Sequence, residues 1–361
     1  MIAGIGRRLS SLTRCELVLR RSRGLRVTSL LAGVGGVILF AWSMQQAGTT
    51  AVVDGVKRVG GGIIVVIALG GVRALVRTAA WRMCLDPADQ LTLGSMFAAY
   101  IAGDAIGNVT PFGFLISEPS KIVLVRGRIA VQSSVAALTL ENLFYSATVV
   151  VMLVAGTAAL LLSFPLPRPL EIMGILVMLV TPLVAAVAAW IVATRRRVVS
   201  GAVEWLARHR LAARFLVERL PDIRQTGDRI FSFVRRRPRA VVPLLLFETS
   251  YHVAAVAEIW FALGSITGVP PPLLTAFVLE AVNRTITTVF QFVPMWLGVD
   301  EAGTAAVTSA VHLGSAAGVS LALVRKMRVV TWTVIGFLLL LYRGWSVSDA
   351  ARQADMLSAS E

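Results

Sequence analysis

The sequence predicts an all-α polytopic membrane protein: about six full spans plus two re-entrant helical hairpins, arranged as an inverted-topology repeat. Three observations carry that expectation. Of 361 residues, 56% are hydrophobic and only 15% charged, against roughly 25% charged in ordinary soluble proteins, and mean hydropathy is +0.76. Arginines crowd the ends of the apolar runs. A carboxamide, a proline and a glutamate recur at one spacing, as Asn108, Pro111, Glu118 and again as Gln291, Pro294, Glu301.

In chain order, residues 1–26 form a basic segment with seven arginines. The apolar run that follows has no small-x-small cleavage site, so it reads as an uncleaved first span and not a signal peptide. Full spans are expected at 27–46, 61–80, 131–163, 170–194, 240–264 and 316–343, each with at least the roughly 20 residues a bilayer requires. Segments 93–127 and 272–314 are also apolar, but each is broken by one of the proline stretches. Each reads as a hairpin that enters the membrane, turns and returns. Backbone that turns at membrane depth must be buried in protein or face water. The last span contains "RKMR" and is expected to run unbroken from about Ala316 to Tyr342, because splitting it leaves a helix of only about 22 Å.

Charge sets the orientation. Segment 195–239 holds thirteen arginines, whereas 164–169 holds one and 265–271 none. The positive-inside bias therefore places both termini, including the tail 346–361, in the cytoplasm of a bacterial inner membrane. The repeats are then 27–163 and 170–345. Three full crossings in each half turn the second upside down relative to the first.

The net charge of +15 suits an anionic membrane surface. Nucleic acid is not an expected partner, since no aromatic-rich folded module accompanies the basic segments. Within 195–239, Trp205, Leu206, Phe215, Leu216 and Leu220 can face the membrane while arginines meet headgroups. Cys15 and Cys84 fall on the cytoplasmic side with no metal-site spacing, so neither a disulfide nor a metal is expected. Nor is a cofactor. The three histidines are dispersed, and no zinc-protease, nucleophile-elbow or phosphate-loop motif occurs.

Ionisable residues inside a membrane are costly and read as functional. Glu118 and Glu301 follow the two turns, where a carboxylate can cap the returning helix while its amides meet an anion. Lys121 lies one turn beyond Glu118, placed to pair with it or to bind phosphate. Arg325, Lys326 and Arg328 lie within the last span, and Arg325 and Arg328 share a face. At the corresponding place in the first half stand Glu141 and Asn142, candidate partners for that cluster. Arg284 is expected on the cavity wall with Arg73 and Arg77, although Arg77 could also reach headgroups. Pro111, Gly113, Pro294 and Gly298 form the turns and are candidate gates. A guanidinium-rich cavity suits phosphate, which it binds bidentately.

Taken together, these residues resemble the flippase-like transmembrane family of lysylphosphatidylglycerol synthases, best known from the multiple peptide resistance factor of bacteria. The resemblance runs from about residue 27 to 345. Asn108, Pro111, Glu118 and Lys121 match the order of the family's first motif; Pro294, Gly298, Glu301, Arg328, Trp332 and Gly336 match the second. Phe112, Ser117, Met295 and Trp296 stand where glycines are usual. With the sequence ending at Glu361, the resemblance implies a stand-alone lipid translocase and not a synthase. It implies an anionic or polar-headed lipid, including isoprenoid-linked ones of the hopanoid kind. From the residues alone, Glu118, Glu141 or Glu301 could carry a proton, whereas passive scrambling needs none. Two rivals remain: a non-transporting partner that positions a lipid-modifying enzyme, and an embedded transferase with Glu118 or Glu301 as base.

Overall fold

The computed structural model describes residues 35–86, 89, 91–110, 113–193, 233 and 235–342, and every regular element among them is a helix. The basic segment 1–26, nearly all of 195–239 with its amphipathic stretches, and the tail 346–361 lie outside the described residues.

Helix α1 covers 35–47. The connection expected after it is itself helical: α2, Thr49–Val59, follows directly and joins α3, Ile63–Cys84, through a 3-10 turn at Gly60–Gly62. The reason is a buried stripe of Val52, Gly55 and Val59 at helical spacing. A Cβ on Gly55 would lie 2.5 Å from the Ser320 hydroxyl, so only glycine lets Ser320 donate to the Val52 carbonyl at 3.1 Å. Lys57 and Arg58 occupy the last turn of α2, where the helix dipole favours cations. Arg58 donates to the Ile266 carbonyl.

The first half continues with α4 (Leu93–Asn108), α5 (Phe114–Val125), α6 (Val131–Ser163) and α7 (Arg168–Ala193). The second comprises α8 (Pro238–Thr267), α9 (Leu273–Val289), α10 (Val299–Ala310) and α11 (Ser315–Tyr342). Proline at the first position of α8 and left-handed Gly268 after its end (φ 79°) are the usual start and stop of a helix. Among the described residues, four helical stretches are long and apolar enough to cross a membrane: Thr49–Cys84, Val131–Ser163, Arg168–Trp190 and Pro238–Thr267. Helix α11, at 28 residues and about 42 Å, is continuous through Arg325, Lys326 and Arg328.

Helices α4 and α5 pack along each other, as do α9 and α10, giving two helix-turn-helix units. At the first turn the backbones touch, for a Cβ on Gly113 would lie 2.2 Å from the Gly107 carbonyl; Pro111 itself is outside the described residues. The second turn is a 3-10 segment at Pro294–Trp296, with Met295 and Trp296 at φ 51° and 52° and Gly298 at 81°. Side chains other than glycine rarely adopt that region. Helix α11 packs against α4 and α10, and α8 against α3. Two apolar clusters hold this arrangement, one around Trp81, Met96, Leu140 and Leu244, the other around Val66, Ile259, Leu279 and Leu321. Helix α7 packs mainly on α6, leaving residues such as Leu179 and Leu183 more than half exposed. An apolar face left open in this way suits contact with lipid chains.

Candidate functional site

Both units, α3, α6, α7, α8 and α11 meet around one cavity of about 890 Å³. Its lining contains seven cations (Arg73, Arg77, Lys121, Arg284, Arg325, Lys326 and Arg328) but only three carboxylates (Asp104, Glu118 and Asp300). Five further carboxylates, Glu141, Glu248, Glu258, Glu280 and Glu301, are at most 1% exposed and stand behind the cations. Burying an ion without a partner costs several kcal/mol, so these carboxylates hold the cations in place while leaving the cavity surface positive.

The pairs are specific. Arg77 donates through Nε and Nη2 to Glu141, and through Nη2 to the Asn142 side-chain oxygen at 3.0 Å. Glu258 accepts Arg73 at 2.9 Å on one oxygen and Arg328 at 2.8 Å on the other. Arg284 donates to Glu280 at 2.7 Å and to the Tyr145 hydroxyl at 2.8 Å. Arg325 donates to Asp300 at 2.6 Å and to Thr304 at 2.7 Å, while its Nε and Nη1 have no partner. Lys326 reaches Glu301. Lys121 is shared by Glu118 and Asp104, both at 2.9 Å, and its ammonium sits 4.0 Å from the centre of the Tyr100 ring. Tyr251 takes a hydrogen bond from Arg73, and its ring packs edge-on to Tyr145. The Arg77 guanidinium lies 3.6 Å over Tyr145. Aromatic faces thus add cation–π attraction to the ion pairs.

The residues expected from the sequence divide into two groups. Lys121, Glu118, Asn142, Arg284, Arg325, Arg328, Asn108 and Gly113 line the cavity, Asn108 being held by a bond to Thr333 at 3.0 Å. Glu141, Glu301, Pro294 and Gly298 are not among the lining residues; Glu141 and Glu301 serve as buried counter-ions. Three contacts differ from expectation. Glu141 meets Arg77, not Arg325 or Arg328, because α3 packs directly on α6 whereas α11 faces α4 and α10. Arg77 is therefore held inside the bundle and does not reach a surface. Glu118 caps no helix: it stands more than a turn inside α5 and accepts from Asn142 at 2.9 Å. Glu301 does cap, accepting from the Gly298 amide at 2.7 Å.

The lining also contains an apolar wall, formed by Val149, Val150 and Leu153 of α6 and Leu176, Val180 and Val184 of α7. A charged floor and an apolar wall in one chamber can accept an amphiphile.

The sequence profile described as the lysylphosphatidylglycerol synthase TM region matches residues 27–339. The chain belongs to that family. No curated protein and no solved structure matches it. With its run of apolar helices, this family member is a membrane-embedded protein.

Several residues at the site escape motif reading. Glu280 carried a visible signal, its i,i+4 spacing from Arg284, which is that of a helical ion pair. Glu248 and Glu258 lie in an apolar run, so the cost of intramembrane charge pointed at them as much as at Glu141. Tyr100, Tyr145 and Tyr251 had no signal, because only the fold reveals which aromatic face meets a guanidinium.

Proposed function

We propose that this protein moves an anionic or polar-headed lipid between the leaflets of a bacterial inner membrane. The headgroup occupies the cavity between the two helix-turn-helix units, while its chains lie along the α6–α7 wall and into the surrounding lipid. One observation carries the reading: a single chamber combines a cationic face, with carboxylates behind it, and an apolar wall on α6 and α7, the latter the least buried of the four long apolar helices. Unpartnered nitrogens on Arg325, Arg73 and Arg284 supply donors that a phosphate can satisfy, and charge-assisted bonds of that type contribute about 1.5–3 kcal/mol each.

In this reading the two units are re-entrant hairpins of an inverted repeat, entering from opposite sides as in other transporters. Exchange of access then amounts to one unit rocking against the other, with the turns at 108–114 and 291–298 as the moving edges.

The test is reconstitution into vesicles with head-labelled phosphatidylglycerol. Transbilayer movement is expected to exceed that of protein-free vesicles, and to fall roughly tenfold or more in Arg325→Gln/Arg328→Gln, with insertion and elution profile unchanged. Movement equal to that of empty vesicles, or undiminished in the double variant, overturns the proposal.

A further inference from the structure

Glu248 is the one carboxylate of the buried set whose two oxygens both lack a hydrogen-bond partner. It is 0% exposed and sits on α8, where it faces α3 and α6. Its nearest cation is Arg77, with Nε at 3.8 Å, beyond hydrogen-bonding distance. That guanidinium is already committed to Glu141 and Asn142. One cation therefore serves two fully buried carboxyls. With both ionised, the cluster would carry a net negative charge and two orphaned acceptor atoms in a low-dielectric interior, which is the costliest arrangement available to it.

A single proton removes the net charge and turns one of those acceptors into a donor. Glu141 and Glu248 face the same Arg77 Nε, which donates to Glu141 and stands 3.8 Å from Glu248, and two carboxylates so placed cannot bond without a hydrogen between them. The other groups around Glu248 do not supply one. From α3 they are Arg77, which is engaged, and Cys84, whose free thiol is not bonded to Glu248. On α8 itself His252 is one turn away, but it faces Thr148 at 3.2 Å and stacks on Tyr145. Arg284 of α9 is bonded to Glu280 and Tyr145, and Arg328 of α11 is held by Glu258.

Arg77 ties this cluster to the cavity. It lines the chamber, and its partner Asn142 donates onward to Glu118 on the far side. From these contacts we infer that Glu141 and Glu248 form a buried proton-binding site, and that its occupancy is linked through Arg77 to an anion in the cavity. At rest, one shared proton and Arg77 leave the cluster neutral. An anion that draws Arg77 toward the cavity removes the counter-ion, and the pair takes up a second proton to stay neutral. Anion and proton then bind together, and by linkage each raises the affinity for the other. This rests on the proposed lipid reading for the identity of the anion, but the resting proton does not.

Two measurements on the full chain separate these parts. Infrared spectra of the purified protein at neutral pH should show the carbonyl stretch of a protonated buried carboxyl, and Glu248→Gln should lack it. Absence of that band, or its persistence in Glu248→Gln, overturns the proton site whatever the lipid does. Calorimetric titration with short-chain phosphatidylglycerol, in two buffers of different ionisation enthalpy, should show uptake of about one proton per lipid. Affinity should weaken by up to about tenfold per pH unit on the alkaline side, and Glu141→Gln/Glu248→Gln should abolish both effects. The measurement on unmodified protein requires no variant to fold, and zero uptake there overturns the linkage. Uptake kept in the double variant but lost in His252→Asn also overturns it. An intact band with no lipid binding defeats the lipid reading and leaves the proton site standing.

Discussion

The two helix-turn-helix units use one plan with the charges exchanged. In the first, Glu118 of α5 accepts from Asn142 of α6, 24 residues on; in the second, Glu301 of α10 accepts from Lys326 of α11, 25 residues on. The eleventh residue of α6 is the anion Glu141, and the eleventh of α11 is the cation Arg325. Before each glutamate stands the residue that binds the unit's other charge: Ser117 donates to Asp104 at 2.8 Å, while Asp300 accepts from Arg325 at 2.6 Å. The returning helix of unit one carries its own cation, Lys121, whereas the returning helix of unit two, α10, receives its cations from the next span. The difference in exposure follows. The Glu118 side chain keeps 29% of its surface and Glu301 none, since Glu301 is consumed by its cap and its lysine. Unit one leaves its glutamate part-open to the chamber, whereas the returning helix of unit two buries its own and acts as an anchor that fixes Arg325 and Lys326.

The broadest break of this comparison tests whether the units are inverted at all. In a background with Cys15→Ser and Cys84→Ala, single cysteines at exposed Ala130, the foot of unit one, and at Val269, the foot of unit two, should react with impermeant thiol reagents from opposite faces of a sealed vesicle. Labelling of both from one face ends the inverted repeat.

A sharper comparison sets Glu301→Ala against Glu118→Ala. The first removes a helix cap, about 1 kcal/mol, and strands a largely buried lysine, about 3–5 kcal/mol. The second loses the bonds from Lys121 and Asn142 but leaves Lys121 with Asp104 at 2.9 Å, so no charge is stranded and the cost at this part-exposed carboxylate is about 1.5–3 kcal/mol. Thermal unfolding in detergent should show the larger drop for Glu301→Ala. Equal drops would remove the distinction between anchor and presenting unit.

The smallest effects concern the chain at unit one. Gly113→Ala forces a Cβ onto the Gly107 carbonyl at 2.2 Å and should cost about 1–3 kcal/mol. Gly127→Ala, beyond the other end of α5, meets no atom within 4 Å and suffers only its φ of 82°, about 1 kcal/mol. Unfolding midpoints in the reverse order would show that the turn at 107–113 is slack and not close-packed.

Much of this was readable in advance, for identifiable reasons. Helix α11 was expected whole because its alternative leaves too short a span, and it is whole. Lys121 was placed one turn from Glu118, and the two pair. What the sequence hid was partnership across helices. The Arg77–Glu141 contact spans 64 residues and Arg73–Glu258 spans 185; no local spacing encodes either, because the packing of α3 on α6 and α8 selects them. Helix α2 went unexpected because a buried stripe of Val52, Gly55 and Val59 gains its value only from Ser320 and the end of α8. The capping difference between Glu118 and Glu301 was hidden by equal spacing from equal prolines.

The long reach of the Arg73 pair has a consequence for how the molecule is made. A ribosome adds roughly 5–20 residues per second, so Glu258 emerges on the order of ten to forty seconds after Arg73, and Glu141 several seconds after Arg77. During that interval two of the arginines of α3, Arg73 and Arg77, have no counter-charge, each costing about 2.5–3.5 kcal/mol at the centre of a membrane helix. Its apolar residues have to offset that sum alone, or the insertion machinery has to shelter the helix until α6 and then α8 arrive. The charge network that serves the finished cavity thereby dictates a schedule: α3 is made early but completed late, and the second half of the chain is what seals the first.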